Sequence, residues 1–311
     1  MNYYTDNDKI EHNVNSVVTI GTFDGIHKGH VDILKTVINK ANELNCRSFV
    51  ITFEPHPRTV VSEEYKMQIL TTIEEKRALF EKLNIENLMV INFTKDFSQM
   101  TSEEFIQKYV LDKIGAKYIV IGYDHKFGKN RDGNENVLRN LGDEYQFDVT
   151  RVEAVEENDD PISSTKIRIA LLDGDIETAN DYLGWNYSFE GKVVEGASRG
   201  RIIGFPTANI ELLNSNKLVP AKGVYLVRCN VDDQDYFGLL NIGSRPTFET
   251  EPEIVVEVHL LDFSRNIYGK IIKVEMLKRI RDEKKFDSKE DLVHQINIDK
   301  NFALEIIKKI N

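Results

Sequence analysis

The chain has 311 residues, about twice a typical domain of roughly 150, which predicts two domains with a core each. Its 41% hydrophobic and 29% charged residues are those of a globular protein, and no apolar run reaches the roughly 18 residues of a membrane span. A net charge of −11 argues against a surface that coats nucleic acid, and the excess acidity lies entirely before Gly184.

Cys46 and Cys229 are isolated, with no CxxC pair, which fits a reducing compartment and speaks against a disulfide framework. The opening MNYYTDNDKIEHN is polar and lacks the apolar stretch of a secretory signal, so a cytoplasmic protein is expected.

In chain order, residues 16–21, 47–53, 87–93 and 117–122 are near-continuous in Val, Ile and Phe, the pattern of parallel strands covered on both faces. Residues 29–44, 73–83 and 102–114 between them have helical apolar spacing, and Thr101-Ser102-Glu103-Glu104 is a helix-start signal. Repeated strand–helix–strand units predict a doubly wound, Rossmann-like parallel sheet, to which 147–155 adds a fifth strand. Two short helices are expected at 164–172 and 176–183, with Gly184 closing the second. Beyond Trp185 the period changes. Alternating segments at 187–194, 223–231, 236–242, 254–261 and 270–279, separated by turn clusters, predict an antiparallel barrel or sandwich, and a helix at 288–310 ends the chain. The expected domains are 1–184 and 185–311.

GTFDGIHKGH (21–30) follows the first strand and opens the first helix, where loop amides and a helix N-terminus converge on phosphate. Gly21, Gly25 and Gly29 allow close backbone approach, and His27 and His30, three apart, point the same way. Two imidazoles there suit donation to phosphate oxygens; the bland alternative is a surface pair at a helix start. A zinc site lacks a third ligand at a supporting spacing, and no GxxxxGK[ST] P-loop occurs. SSTKIR (163–168) reads either as hydroxyl capping of a helix or as a turn whose cations hold a triphosphate.

In the second half, GASRGRIIGFPTAN (196–209) offers glycines and two arginines, Arg199 and Arg201, suited to a flap over phosphate. Thr207 and Asn209 share a side of an extended segment and can hold a hard cation such as Mg²⁺. In VVEVH (255–259), Glu257 and His259 share a face opposite Val256 and Val258. Glu257 is there either a solvated side chain or a general base.

GTFDGIHKGH, TFEPHP (52–57), GYDHKFG (122–128) and SSTKIR, in that order and spacing, resemble the adenylyltransferase module of bifunctional bacterial riboflavin kinase/FAD synthetases, of the HxGH nucleotidyltransferase superfamily. GASRGRIIGFPTAN, LVPAKGVYLV (218–227), NIGSRPTF (241–248), VEVHLLDF (256–263), IYGK (267–270) and IRDEKKFDS (280–288) resemble the riboflavin kinase module, a compact antiparallel barrel with a C-terminal helix. The two modules cover residues 14 to 309.

The resemblance implies that the first domain joins FMN to AMP from ATP, giving FAD and pyrophosphate, and that the second phosphorylates riboflavin to FMN with Mg²⁺-ATP. It implies that His27 and His30 serve the ATP phosphates along with Gly21, Phe23, Gly25, Gly29, Ser164, Thr165 and Arg168. His56 and Asp124 are implied to face the flavin. In the second module Arg199, Arg201 and Gly204 are expected at ATP, Thr207 and Asn209 at Mg²⁺-ATP, and Glu257 as base for the riboflavin 5′-hydroxyl. One departure is His125-Lys126, where the family usually has Phe-Arg. Partners are therefore riboflavin, FMN, FAD and ATP, with neither nucleic acid nor membrane. Three other readings stay open. One is a regulatory flavin binder with inactive sites, binding flavin-related RNA, which the acidic charge disfavours. Another is an active kinase beside an impaired, regulatory adenylyltransferase. The third is a superfamily transferase acting on another phosphorylated substrate, which the kinase module disfavours.

Overall fold

A computed structural model describes residues 1–62, 67–157, 160–196, 203–245 and 253–310. Two compact units divide the chain, Met1–Ser164 and Thr165–Asn311.

The first unit is built on a parallel sheet of β1 (Asn2–Thr5), β2 (Ser16–Ile20), β3 (Arg47–Glu54), β4 (Asn87–Asn92), β5 (Ala116–Gly122) and β6 (Asp148–Val152), in the order β1-β4-β3-β2-β5-β6. Helix α1 (Lys28–Leu44) joins β2 to β3, and α2 (Pro57–Val61) and α3 (Ile73–Lys82) join β3 to β4. Helix α4 (Ser102–Phe105) runs into a π-helical stretch, Ile106–Ile114, and α5 (Glu135–Tyr145) precedes β6. Alternate strand residues feed opposite faces. Val18, Ile20, Phe49, Ile51 and Met89 pack with Phe105, Ile106 and Leu138, whereas Val50, Leu88 and Val90 pack with Leu34 and Phe80 on the other side. Thr101 starts α4 through a reciprocal capping box with Glu104, as the sequence predicts.

From β2 the chain winds outward through β3 and β4, then returns to the opposite side of β2 at β5. That reversal opens a crevice at the carboxyl ends of β2 and β5, where open α/β sheets bind ligands. Strand β1 was not expected from its polar sequence. It is an edge strand with one neighbour, β4, and its residues are half-buried or exposed, so it carries no apolar signature. A two-residue ladder, β7 (Glu156–Glu157) with β8 (Asp160–Pro161), ends this unit.

The second unit carries α6 (Ser164–Asp173), whose first residue belongs to the first unit, and α7 (Ile176–Leu183). A closed six-stranded antiparallel barrel follows, made of β9 (Ser188–Val194), β10 (Ala208–Leu212), β11 (Gly223–Val231), β12 (Gln234–Arg245), β13 (Glu253–Leu260) and β14 (Ile271–Arg281), in the order β10-β13-β12-β11-β14-β9. Of the two all-β alternatives, the barrel is the one formed. A terminal helix, α8 (Lys289–Ile310), sets Ala303 and Ile307 against Leu226, Leu239 and Leu261.

Gly184 closes α7 at φ 78° and bonds back to Asn180 and Asp181. The contact division nonetheless falls at Ser164/Thr165, because both short helices are tied to the barrel. Ala221 N donates to Leu171 O at 2.9 Å, Tyr187 N to Asn180 Oδ1 at 2.7 Å, and Asn180 Nδ2 to Met276 O at 2.9 Å.

Candidate active sites

In the first unit, the loop after β2 is anchored before it is functional. The Asp24 carboxylate is fully buried and accepts from Leu70 N (2.9 Å), Thr71 N (3.0 Å) and Thr71 Oγ1 (3.3 Å), while Gly25 N donates to Thr71 Oγ1 at 2.9 Å. Asp24 O accepts from Ser164 Oγ at 2.8 Å, so this hydroxyl of SSTKIR closes onto the glycine loop. Phe23 and Ile26 hold left-handed φ of 46° and 40°, and Gly25 holds 91°. Such conformations persist only where surrounding contacts enforce them, and they concentrate at ligand sites. Gly21 and Gly29 bracket this loop.

His27 is the N-cap of α1. Its Nδ1 accepts the His30 amide at 3.4 Å, which leaves its proton on Nε2. The two rings stack with centroids 3.7 Å apart, and Phe23 meets His30 edge-on at 5.3 Å. Burial pushes His27 down to about 4, against the pull of Asp24. Burial, then His27 and Lys76, holds His30 well below the ordinary histidine value. Both imidazoles are therefore neutral donors near pH 7. Nδ1 of His30 is buried without a hydrogen-bond partner.

His56 and Asp124 lie at the same carboxyl edge of the sheet. His56, buried just beyond β3, caps α2 by accepting Arg58 N at 3.2 Å. Asp124 lies exposed just beyond β5. His125 stacks on Phe127 with centroids 5.4 Å apart, its Nε2 buried and unpartnered, and desolvation pushes it down to about 4. Thr165 and Arg168 follow Ser164 on α6.

In the second unit, strand register does the assembling. Asn209 on β10 lies opposite Glu257 on β13, and Glu257 lies opposite Asn241 on β12. Directly opposed residues share a face of the sheet, so Asn209, Glu257 and Asn241 form one polar row. Val256 and Val258, 3% and 0% exposed, point the other way. A Cβ on Gly196 would collide with the Asn209 carboxamide, so glycine there leaves that side chain its place. His259 Nδ1 lies 2.8 Å from Pro206 O, and its ring meets Phe205 edge-on at 5.4 Å, seating the segment that carries Thr207 against β13. Thr207 and Asn209 are half-buried, and Gly204 is exposed at φ 85°. A hydroxyl and an amide oxygen are hard neutral donors, chemically suited to a divalent cation that also takes phosphate oxygens. Arg199 and Arg201 lie outside the described residues.

Asn241 escaped the sequence reading because its place is set by register with β13, sixteen residues on in the chain. Lys76 escaped it as well. It is one of two lysines on the 73–83 helical pattern, and only the tertiary structure buries it to 2% exposure.

Residues 9–166 match the FAD synthetase family model and residues 183–307 the riboflavin kinase model. The chain is 38% identical to the bifunctional riboflavin kinase/FMN adenylyltransferase of Bacillus subtilis over 96% of this chain and 95% of that one. Against the enzyme of the same name from Listeria monocytogenes it is 36% identical, over 96% and 94%. Among solved structures, a Streptococcus pneumoniae chain titled a macrolide-efflux protein superposes with a TM-score of 0.89 at 32% identity, covering 97% of this chain and 99% of that one. Among the described residues here, no helix is long and apolar enough to cross a membrane. The matches to both models and to full-length relatives establish that this chain belongs to the bifunctional riboflavin kinase/FMN adenylyltransferase family.

Proposed function

We propose that each unit carries one of the two family activities, with the first adenylylating FMN and the second phosphorylating riboflavin. The observation that carries this reading is the separation of the polar constellations. The stacked histidine pair sits at the switch point of the parallel sheet, and the Asn209–Glu257–Asn241 row sits on the barrel.

In the first reaction an FMN phosphate oxygen attacks the α-phosphorus of ATP as the bond to the leaving pyrophosphate breaks. No proton has to move, so catalysis consists of positioning and charge stabilisation. His27 donates through Nε2 at the head of α1, and His30 lies stacked beside it. Gly21, Phe23, Gly25 and Gly29 shape the phosphate loop. Ser164, Thr165 and Arg168 serve the same triphosphate, with His56 and Asp124 on the flavin side.

In the second reaction the riboflavin 5′-oxygen attacks the γ-phosphorus of ATP, the bond to ADP breaks, and Glu257 accepts the hydroxyl proton. Thr207 and Asn209 would hold Mg²⁺, which supplies charge neutralisation on the ATP phosphates. Arg199, Arg201 and Gly204 complete the phosphate contacts. The functional boundary is proposed at Gly184/Trp185. A cytoplasmic setting agrees with two free thiols, Cys46 and Cys229.

The test incubates purified protein with riboflavin, ATP and Mg²⁺ and follows both flavin products by chromatography. FMN should appear first and FAD after it. FMN without FAD, when FMN and ATP are supplied in excess, would reduce the first unit to a flavin binder.

A further inference from the structure

The stacked histidine pair brings no positive charge of its own to the loop after β2, since both rings are neutral. A buried cation lies beside it. Lys76 sits one turn into α3 at 2% exposure, and among the described residues its ammonium makes no hydrogen bond or ion pair. Three features make that placement unfavourable for folding. An ammonium taken from water without a partner loses hydration that nothing in the fold replaces. Asp24 and Glu54 attract it only from a distance, and Asp24 already accepts from residues 70 and 71. A cation near a helix N-terminus also opposes the helix dipole.

The surroundings show what it faces. Lys76 and Phe80, four residues apart, share one side of α3. Phe80 meets the Phe23 ring at 5.8 Å, and Phe23 in turn meets His30 at 5.3 Å. The charge of Lys76 is felt at His30, whose buried Nδ1 is unpartnered. Lys76 thus lies close enough to His30 and Asp24 for their charges to act on one another.

We propose that Lys76 is a further residue of the adenylyl-transfer site, its ammonium pairing with an anionic phosphate oxygen of the bound substrates. This rests on reading the first unit as the adenylyltransferase. The fold tolerates an unpaired cation there because a phosphate completes the pair. During the reaction, charge moves from the attacking FMN phosphate and the α-phosphate onto the leaving pyrophosphate. A fixed cation within reach stabilises that redistribution without rearranging.

The experiment compares wild type with Lys76→Met and Lys76→Arg, measuring FAD formation from FMN and ATP, FMN formation from riboflavin, and thermal unfolding. Lys76→Met keeps length and burial while removing the charge. The expected result is a loss of FAD synthesis of about 10²-fold or more, unchanged riboflavin phosphorylation, and an unfolding temperature equal to or above wild type. Lys76→Arg should recover part of the lost rate. The KM that rises, for ATP or for FMN, identifies which phosphate the ammonium meets. FAD synthesis within about threefold of wild type in a folded Lys76→Met variant overturns the proposal. So does a variant that unfolds or melts well below wild type, because the lysine is then structural. If wild type itself makes no FAD, the underlying reading fails instead.

Discussion

Replacing His125 by Phe should stabilise the first unit, and more so in acid. The His125 ring stacks on Phe127 while its Nε2 is buried with no partner. Phenylalanine keeps the ring contact and removes a polar atom whose desolvation is not compensated, worth roughly 1 kcal/mol at pH 7. The acid term follows from the depressed proton affinity. His125 titrates at about 4 when folded, against an ordinary value of 6.5. The unfolded chain takes up this proton first, so stability is intact above pH 6.5, falls as pH drops through 6.5, and stops falling below about 4. Between pH 7 and pH 5 this one group costs wild type about 2 kcal/mol, a loss the Phe variant escapes. With roughly 2–4 °C per kcal/mol for a unit of this size, the variant should melt roughly 2–4 °C higher at pH 7 and roughly 6–12 °C higher at pH 5. Differential scanning calorimetry at both pH values measures this, with FMN and ATP added to identify the transition of the first unit. A variant that melts below wild type at pH 7, or whose advantage does not widen at pH 5, refutes the reasoning.

Glu257→Gln should lower FMN formation by about 10²-fold or more, the usual worth of a positioned base, with FAD formation from supplied FMN retained. Near-normal kinase rates would return Glu257 to a solvated strand face. His30→Ala should cut FAD synthesis at saturating FMN and ATP by on the order of 10²-fold, about 3 kcal/mol of transition-state stabilisation, leaving riboflavin phosphorylation nearly untouched. A folded variant that keeps its rate would make the histidines a helix-start pair only. Fragments 165–311 and 185–311 should both phosphorylate riboflavin. The shorter one loses the bonds of Leu171 to Ala221 and of Asn180 to Tyr187 and Met276, and should be less stable by roughly 2–3 kcal/mol. Equal urea midpoints for the two fragments would show that those bonds hold nothing together.

Local chemistry makes much of this protein legible in its sequence. Near-continuous Val, Ile and Phe runs mark β2 to β5, because strands covered on both faces need apolar residues at every position. The change to alternation after Trp185 marks the barrel, and the Gly-rich loop between strand and helix marks the candidate phosphate site. These signals lie within ten or so consecutive residues. What escaped was set by distant partners. Strand β1 exists because β4 offers it an edge, and its own sequence does not demand it. The Asn209–Glu257–Asn241 row depends on which strands become neighbours, a matter of register that alternation alone leaves open. Electrostatics depends most of all on the folded state. His27 and His30 are ordinary imidazoles in sequence and become neutral, stacked donors only when packing removes water from them. The same packing buries Lys76, one of many lysines in the chain, and holds its proton affinity below the ordinary lysine value, because desolvation is a property of the assembled core.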